Sequence, residues 1–245
     1  MKYRIIHVLG AVDGSSSGVQ SFIKNHIETD DNEFEHVVAE SNGEKHFPFN
    51  KYLDENKIER VVFPELKISK IFNYAKMCRQ YYKNNKIDIV HIHNPITGFF
   101  HNYYAKKNGT RVRIYHNHSS QFSDTWLKSM RNRLLVFLAL RDTTDRISCG
   151  ELAGIKIYGK KSFKIVPNAI MIDKFKFSST YRDEIRKEFR ISENKKVVGM
   201  VGNLNPFKNQ KFLIEIAKEL PDTIFIFVGE GPDYLLLEEM SRGMN

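Results

Sequence analysis

Cysteine is scarce: only Cys78 and Cys149 occur in 245 residues. Two thiols cannot build a disulfide framework, and they point to a reducing compartment. No apolar run approaches the roughly 18 residues that a spanning helix needs, so no transmembrane segment is expected. The first ten residues pass from a strand pattern straight into a loop. They lack the apolar core and small-residue cleavage site of a secretory leader, so a cytoplasmic location is expected. Internal repeats and low-complexity tracts are absent, and no aromatic-basic stacking motif or helix-turn-helix pattern marks a nucleic-acid binder. With 41% hydrophobic and 27% charged residues, the composition is that of a globular protein.

Acidic residues are in deficit, and unevenly so. Residues 1–180 carry 28 Lys and Arg against 18 Asp and Glu, whereas residues 181–245 carry 10 against 11. The net charge of +9 therefore belongs to the first part of the chain. Such a surface suits anionic lipid or a phosphorylated substrate, and the same charge is also compatible with a basic protein lacking a special partner.

Short apolar runs alternate with helical periodicity. Strands are expected at residues 3–9, 36–39, 60–63, 87–93, 111–116, 146–149 and 163–166, with helices at 19–27, 69–83, 97–107 and 122–141. Alternation of this kind implies a doubly wound parallel sheet. A second unit opens near Tyr181: helix 182–189, strand 196–201, helix 209–219, strand 223–228 and a helix from Asp233. The expected organisation is a domain over 1–170, a linker over 171–180 and an incomplete second domain over 181–245. The two strands of that second unit are apolar and call for cover on both faces, which makes the unit marginal by itself.

Four motifs carry chemistry. Gly10-Ala-Val-Asp-Gly-Ser-Ser-Ser-Gly18-Val-Gln follows the first strand and opens a helix, a place where backbone approaches a diphosphate; the alternative is a flexible loop. His91-Ile-His93-Asn94-Pro95 and His116-Asn-His118-Ser119 close two strands, and residues two apart share a face, so the pairs converge. A substrate site, packing, and a metal site with Asp124 as nearest carboxylate are the readings, in that order. Residues 122–141 give a broad apolar face with Lys128, Arg131, Arg133 and Arg141 and no acid between Trp126 and Arg141. That pattern suits a helix on an anionic membrane or a buried core helix equally. Fourth, Gly202-Asn-Leu-Asn-Pro-Phe-Lys208-Asn209 and Val228-Gly-Glu-Gly-Pro232 end consecutive strands with open turns and a lysine before a helix, where a nucleotide diphosphate can sit.

These last two segments resemble the donor-phosphate loops of glycosyltransferase family 4, and Pro167-Asn168-Ala-Ile-Met-Ile-Asp173-Lys-Phe175 resembles that family's entry into its linker. The similarity covers essentially the whole chain, and the variety with paired His-x-His looks like enzymes that build bacterial capsule or exopolysaccharide repeat units. It implies a GT-B fold: an N-terminal Rossmann-like acceptor domain and the first part of a second Rossmann-like domain. It further implies a retaining hexosyl transfer from a nucleotide-sugar, expected to be a UDP-sugar, to a lipid-linked or saccharide acceptor. No metal or other cofactor is implied. By the same resemblance Gly18, Gly202, Asn203, Lys208, Gly229 and Gly231 bind the donor, and Lys208 neutralises the departing diphosphate. His116, with His118 as the alternative register, stands near the transferred sugar, while His93 and Asn94 serve the acceptor or substrate.

The sequence departs from the family pattern at two places. Asn203 stands where an arginine or lysine is common. The family's Glu–seven residues–Glu element falls beyond Asn245, which implies a truncated chain of low or no activity by itself. Other expected partners are an anionic membrane face, placing the protein at the inner side of the cell membrane, and a polypeptide supplying the missing part. A non-catalytic remnant or partner-binding subunit, and a metal-dependent hydrolase using His91, His93, His116 and His118, are the alternative functions.

Overall fold

The computed structural model describes residues 2–10, 18–41, 47–119, 122 and 126–244. They form two compact units, Met1–Met171 and Ile172–Asn245. In the first, the elements run β1 (Tyr3–Val8), α1 (Gly18–Glu28), β2 (Phe34–Glu40), α2 (Pro48–Glu55), β3 (Glu59–Val62), α3 (Ile71–Asn84), β4 (Ile89–Ile92), α4 (Pro95–Lys107), β5 (Val112–Asn117), α5 (Trp126–Arg141), β6 (Asp145–Ser148), α6 (Glu151–Tyr158) and β7 (Lys164–Ile165). The strands pair in parallel in the order β3-β2-β1-β4-β5-β6-β7. Strand order reverses direction at β1, so the β1/β4 edge is the switch point where such sheets bind ligands.

Alternation along the strands sorts side chains to two covered faces. Ile6, Val8, Val37, Ala39, Val90 and Ile92 form one core with Tyr74, Cys78 and Tyr82 of α3, Phe100 and Ala105 of α4, and Val136, Ala139 and Leu140 of α5. Leu9 and Val38 point the other way, against Ile23 of α1 and Phe49 and Leu53 of α2. Burying each such branched or aromatic side chain contributes about 1.5–3 kcal/mol, which ties both helix layers to the sheet. That second face also carries a row of histidines, which α1 covers.

Two helices lie where none is expected. In α2, Phe49, Tyr52 and Leu53 do show helical spacing, but over only 8 residues. Within α6, Gly154 reads as a break; here it is needed because a Cβ would stand 2.1 Å from the Phe163 ring. Helix α5 begins at Trp126 and has an inward and an exposed face. Val136, Ala139 and Leu140 turn inward, while Trp126, Leu127, Met130, Leu134 and Phe137 are exposed.

The second unit holds α7 (Ser179–Glu188), β8 (Lys196–Val201), α8 (Gln210–Glu219), β9 (Thr223–Val228) and α9 (Tyr234–Ser241). Ser178 caps α7 by accepting from the Tyr181 amide at 3.3 Å. Strands β8 and β9 pair in parallel, and Leu204, Ile214 and Leu237 form a small core beside them. Much of β8 remains exposed.

Candidate functional site

In the second unit the glycine turns after β8 and β9 are stitched together by backbone. Gly202 N donates to Val228 O at 2.9 Å, Leu204 N to Glu230 O at 2.9 Å, and Asp233 N to Leu204 O at 3.1 Å. The approach is close enough to require glycine. A Cβ on Gly229 would stand 2.0 Å from Gly202 O, and one on Gly231 would stand 2.2 Å from Leu204 O. Buried Gln210 donates to Asn203 O at 3.0 Å and ties the first turn to the start of α8. Asn209 takes a left-handed conformation to reverse into that helix. Lys208 is exposed just before it, and its Cε carbon would lie 3.9 Å from a Cβ on Gly202. Among the described residues it forms no ion pair. Open backbone, the N-terminus of a ten-residue helix and an available ammonium thus share one turn. Asn203 and Glu230 are exposed beside them.

The first unit presents its switch-point residues differently. Gly10 lets Asn94 approach: a Cβ there would stand 2.3 Å from Asn94 Nδ2. The Asn94 oxygen is already engaged, accepting from the Ile96 and Thr97 amides at 2.8 and 3.3 Å as the cap of α4. Most of the glycine-rich loop, and Asp124, lie outside the described residues. Gly18 is the first residue of α1, and a Cβ there would stand 4.0 Å from Asn168 Nδ2.

Parallel register brings the predicted histidines together, and adds three that were not singled out. His7 pairs with His91 across β1 and β4, and His36 projects from β2 onto the same layer. His26 joins them from α1, edge-on to His7 and His36. The ring nitrogens meet in sequence. His36 Nδ1 is 3.3 Å from His7 Nε2, His7 Nδ1 is 3.4 Å from His93 Nε2, and His93 Nδ1 is 2.9 Å from His118 Nε2. A separate pair joins His91 Nε2 to His116 Nδ1 at 3.1 Å, with the rings stacked. Phe22 of α1 lies edge-on above His116, which is 1% exposed; His118 is partly open. Phe22 lies edge-on to His118 as well, and the His118 Nδ1 is buried although the residue as a whole is partly exposed.

Burial makes all these imidazoles hard to protonate. Desolvation, reinforced by neighbouring rings, pushes His7, His91 and His93 well below the ordinary histidine range. It brings His116 down to about 3 and His118 to about 4, the latter opposed by a hydrogen bond to Asn168. As neutral rings they have the donors for a transition metal. His7, His26 and His36, then His7, His91 and His93, then His93, His116 and His118 each bring ring nitrogens within 4.8 Å of one another. No carboxylate belongs to any of these sets among the described residues.

Residues 181–245 match the family model for glycosyl transferases group 1. A Bacillus subtilis (strain 168) protein named as a glycosyltransferase, EpsF, is 27% identical over 174 residues, 66% of this chain and 45% of that protein. The Escherichia coli UDP-Gal:alpha-D-GlcNAc-diphosphoundecaprenol alpha-1,3-galactosyltransferase is 29% identical over 202 residues, 75% of this chain and 52% of its own. The crystal structure of Anabaena HepE in complex with UDP-glucose superposes with a TM-score of 0.76 at 18% identity, covering 98% of this chain and 66% of the other. The likeness to HepE shows the fold that this chain shares with it, and residues 181–245 carry the match to glycosyl transferases group 1. It spans about half the length of the curated relatives it matches. Among the described residues, no helix is long and apolar enough to cross a membrane.

Proposed function

We propose that this chain is a retaining hexosyltransferase of glycosyltransferase family 4. It moves a sugar from a UDP-sugar to a lipid-diphosphate-linked or saccharide acceptor in polysaccharide synthesis. The observation that carries this reading is the stitched pair of glycine turns beside Lys208, within the segment matched to glycosyl transferases group 1. The chemistry fits a nucleoside diphosphate. Backbone amides and the α8 N-terminus favour negative charge, and Lys208 offsets the charge that develops as the diphosphate departs.

In the first unit, His118 is the ring assigned to the sugar, with Gly18 and Asn168 at its side; His116 and His93 support it from beneath. The reading uses no metal, which agrees with ring nitrogens that are largely engaged with one another. Exposed Trp126, Leu127, Met130, Leu134 and Phe137, with exposed Arg131 and Arg133, support peripheral attachment to an anionic membrane face where a lipid-linked acceptor resides.

Calorimetric titration with UDP, UDP-sugars and UMP tests the donor assignment. UDP is expected to bind more tightly than UMP, because the second phosphate meets Lys208. Equal affinity, or none in a folded chain, would remove the assignment. Transfer from labelled UDP-sugars to a polyprenyl-diphosphate-linked sugar, with the product anomer read by NMR, tests acceptor and retention together.

A further inference from the structure

Four imidazoles form an unbroken run from the β2 side of the sheet to His118, just past β5: His36, His7, His93, His118, at contacts of 3.3, 3.4 and 2.9 Å. At its head, His36 Nε2 stands 3.4 Å from Asp30 Oδ2. The contact is long, but this buried nitrogen has no other partner among the described residues. Asp30 is itself fixed, since its carboxylate oxygens accept from the Glu33 and Phe34 amides at 3.1 and 3.3 Å.

A neutral imidazole carries one N–H and one lone pair, whereas a carboxylate only accepts. The proton of His36 therefore sits on Nε2, facing Asp30. Its Nδ1 is then a lone pair and takes the N–H of His7 Nε2. By the same step His7 Nδ1 accepts from His93 Nε2, and His93 Nδ1 accepts from His118 Nε2. The reverse order would set a bare lone pair of His36 against the carboxylate, two buried acceptors facing each other.

We propose that Asp30, His36, His7 and His93 are positioning residues: they fix His118 as the Nε2–H tautomer and leave its Nδ1, which is buried and without a hydrogen-bond partner among the described residues, as a lone pair. The assignment of a sugar to His118 rests on the function proposed above; the order of tautomers does not. Asn168 approaches the same ring.

Selective ¹⁵N labelling of histidine, with two-bond ¹H–¹⁵N correlation near pH 7.5, reads each tautomer in the whole chain. His7, His36, His93 and His118 are all expected as Nε2–H. An Nδ1–H or cationic form at any of the four overturns the proposal. His7→Leu cuts the run, so His93 and His118 are expected to shift to values averaged between tautomers; His7→Gln, which both donates and accepts, restores fixed Nε2–H. A His118 that stays wholly Nε2–H in folded His7→Leu also overturns it. Asp30→Ala makes the same cut at the head, should His7→Leu not fold. A UDP-sugar that binds without moving the His118 signals removes the sugar from this ring and leaves the relay standing.

Discussion

A Cβ on Gly229 would lie 2.0 Å from the carbonyl oxygen of Gly202, a backbone atom that cannot swing aside. The two glycines therefore hold the turns after β8 and β9 in register. Gly229→Ala is expected to push the turns apart, lower the melting temperature of the second unit and abolish UDP binding. A melt followed by calorimetry checks this; retained affinity would separate the turns from the donor site.

Lys208 calls for a different outcome. It is exposed and makes no ion pair among the described residues, so Lys208→Ala is expected to leave the fold intact. A charged hydrogen bond to phosphate contributes about 1.5–3 kcal/mol, so UDP affinity is expected to fall roughly 10- to 100-fold. Lys208→Arg retains the charge and is expected to recover part of it. UMP affinity is expected to change less, which locates the effect at the second phosphate.

Acid is expected to unfold the first unit. His7, His26, His36, His91, His93, His101, His116 and His118 all have lowered pKa values, chiefly through desolvation. The unfolded chain protonates near the ordinary value of 6.5, while folded His118 waits until about 4 and folded His116 until about 3. Between those limits the unfolded state binds more protons, so stability is fully present above 6.5 and falls as pH drops through the window. Each such proton steepens the loss by about 1.4 kcal/mol per pH unit. Denaturant melts from pH 7.5 to 4.5 measure this slope, and a flat profile would contradict the neutral, buried rings.

Helix α5 offers a test of location. Vesicles rich in anionic lipid are expected to pull the chain down on sedimentation, and zwitterionic vesicles to do so weakly. Leu134→Glu with Phe137→Glu alters side chains exposed on the outer face, so folding is expected to persist while vesicle binding is lost. Unchanged binding would assign attachment to another surface.

The alternation of apolar runs and helical periodicity determined the parallel α/β class, and most elements follow that pattern within a few residues. It also marked the turns at Gly202 and Gly229, because glycine beside a strand end and a lysine before a helix are local signals. Short α2 and glycine-bearing α6 escaped it, since a turn or two of helix leaves too little periodicity to read. The convergence of His93 and His118 was legible from their place at two strand ends, but its extension through His7 and His36 lay beyond local reading. His7, His36, His93 and His118 come from four strands or their ends, and nothing near His7 or His36 specifies its neighbour. Lateral strand register decides that, as it decides that Phe22 lies edge-on to both His116 and His118. Which face of α5 is buried was settled the same way, by packing against α4 and the sheet. The sequence by itself determined most of the elements and the glycine turns; only the tertiary structure, through contacts between residues far apart in the chain, decided which side chains share a site.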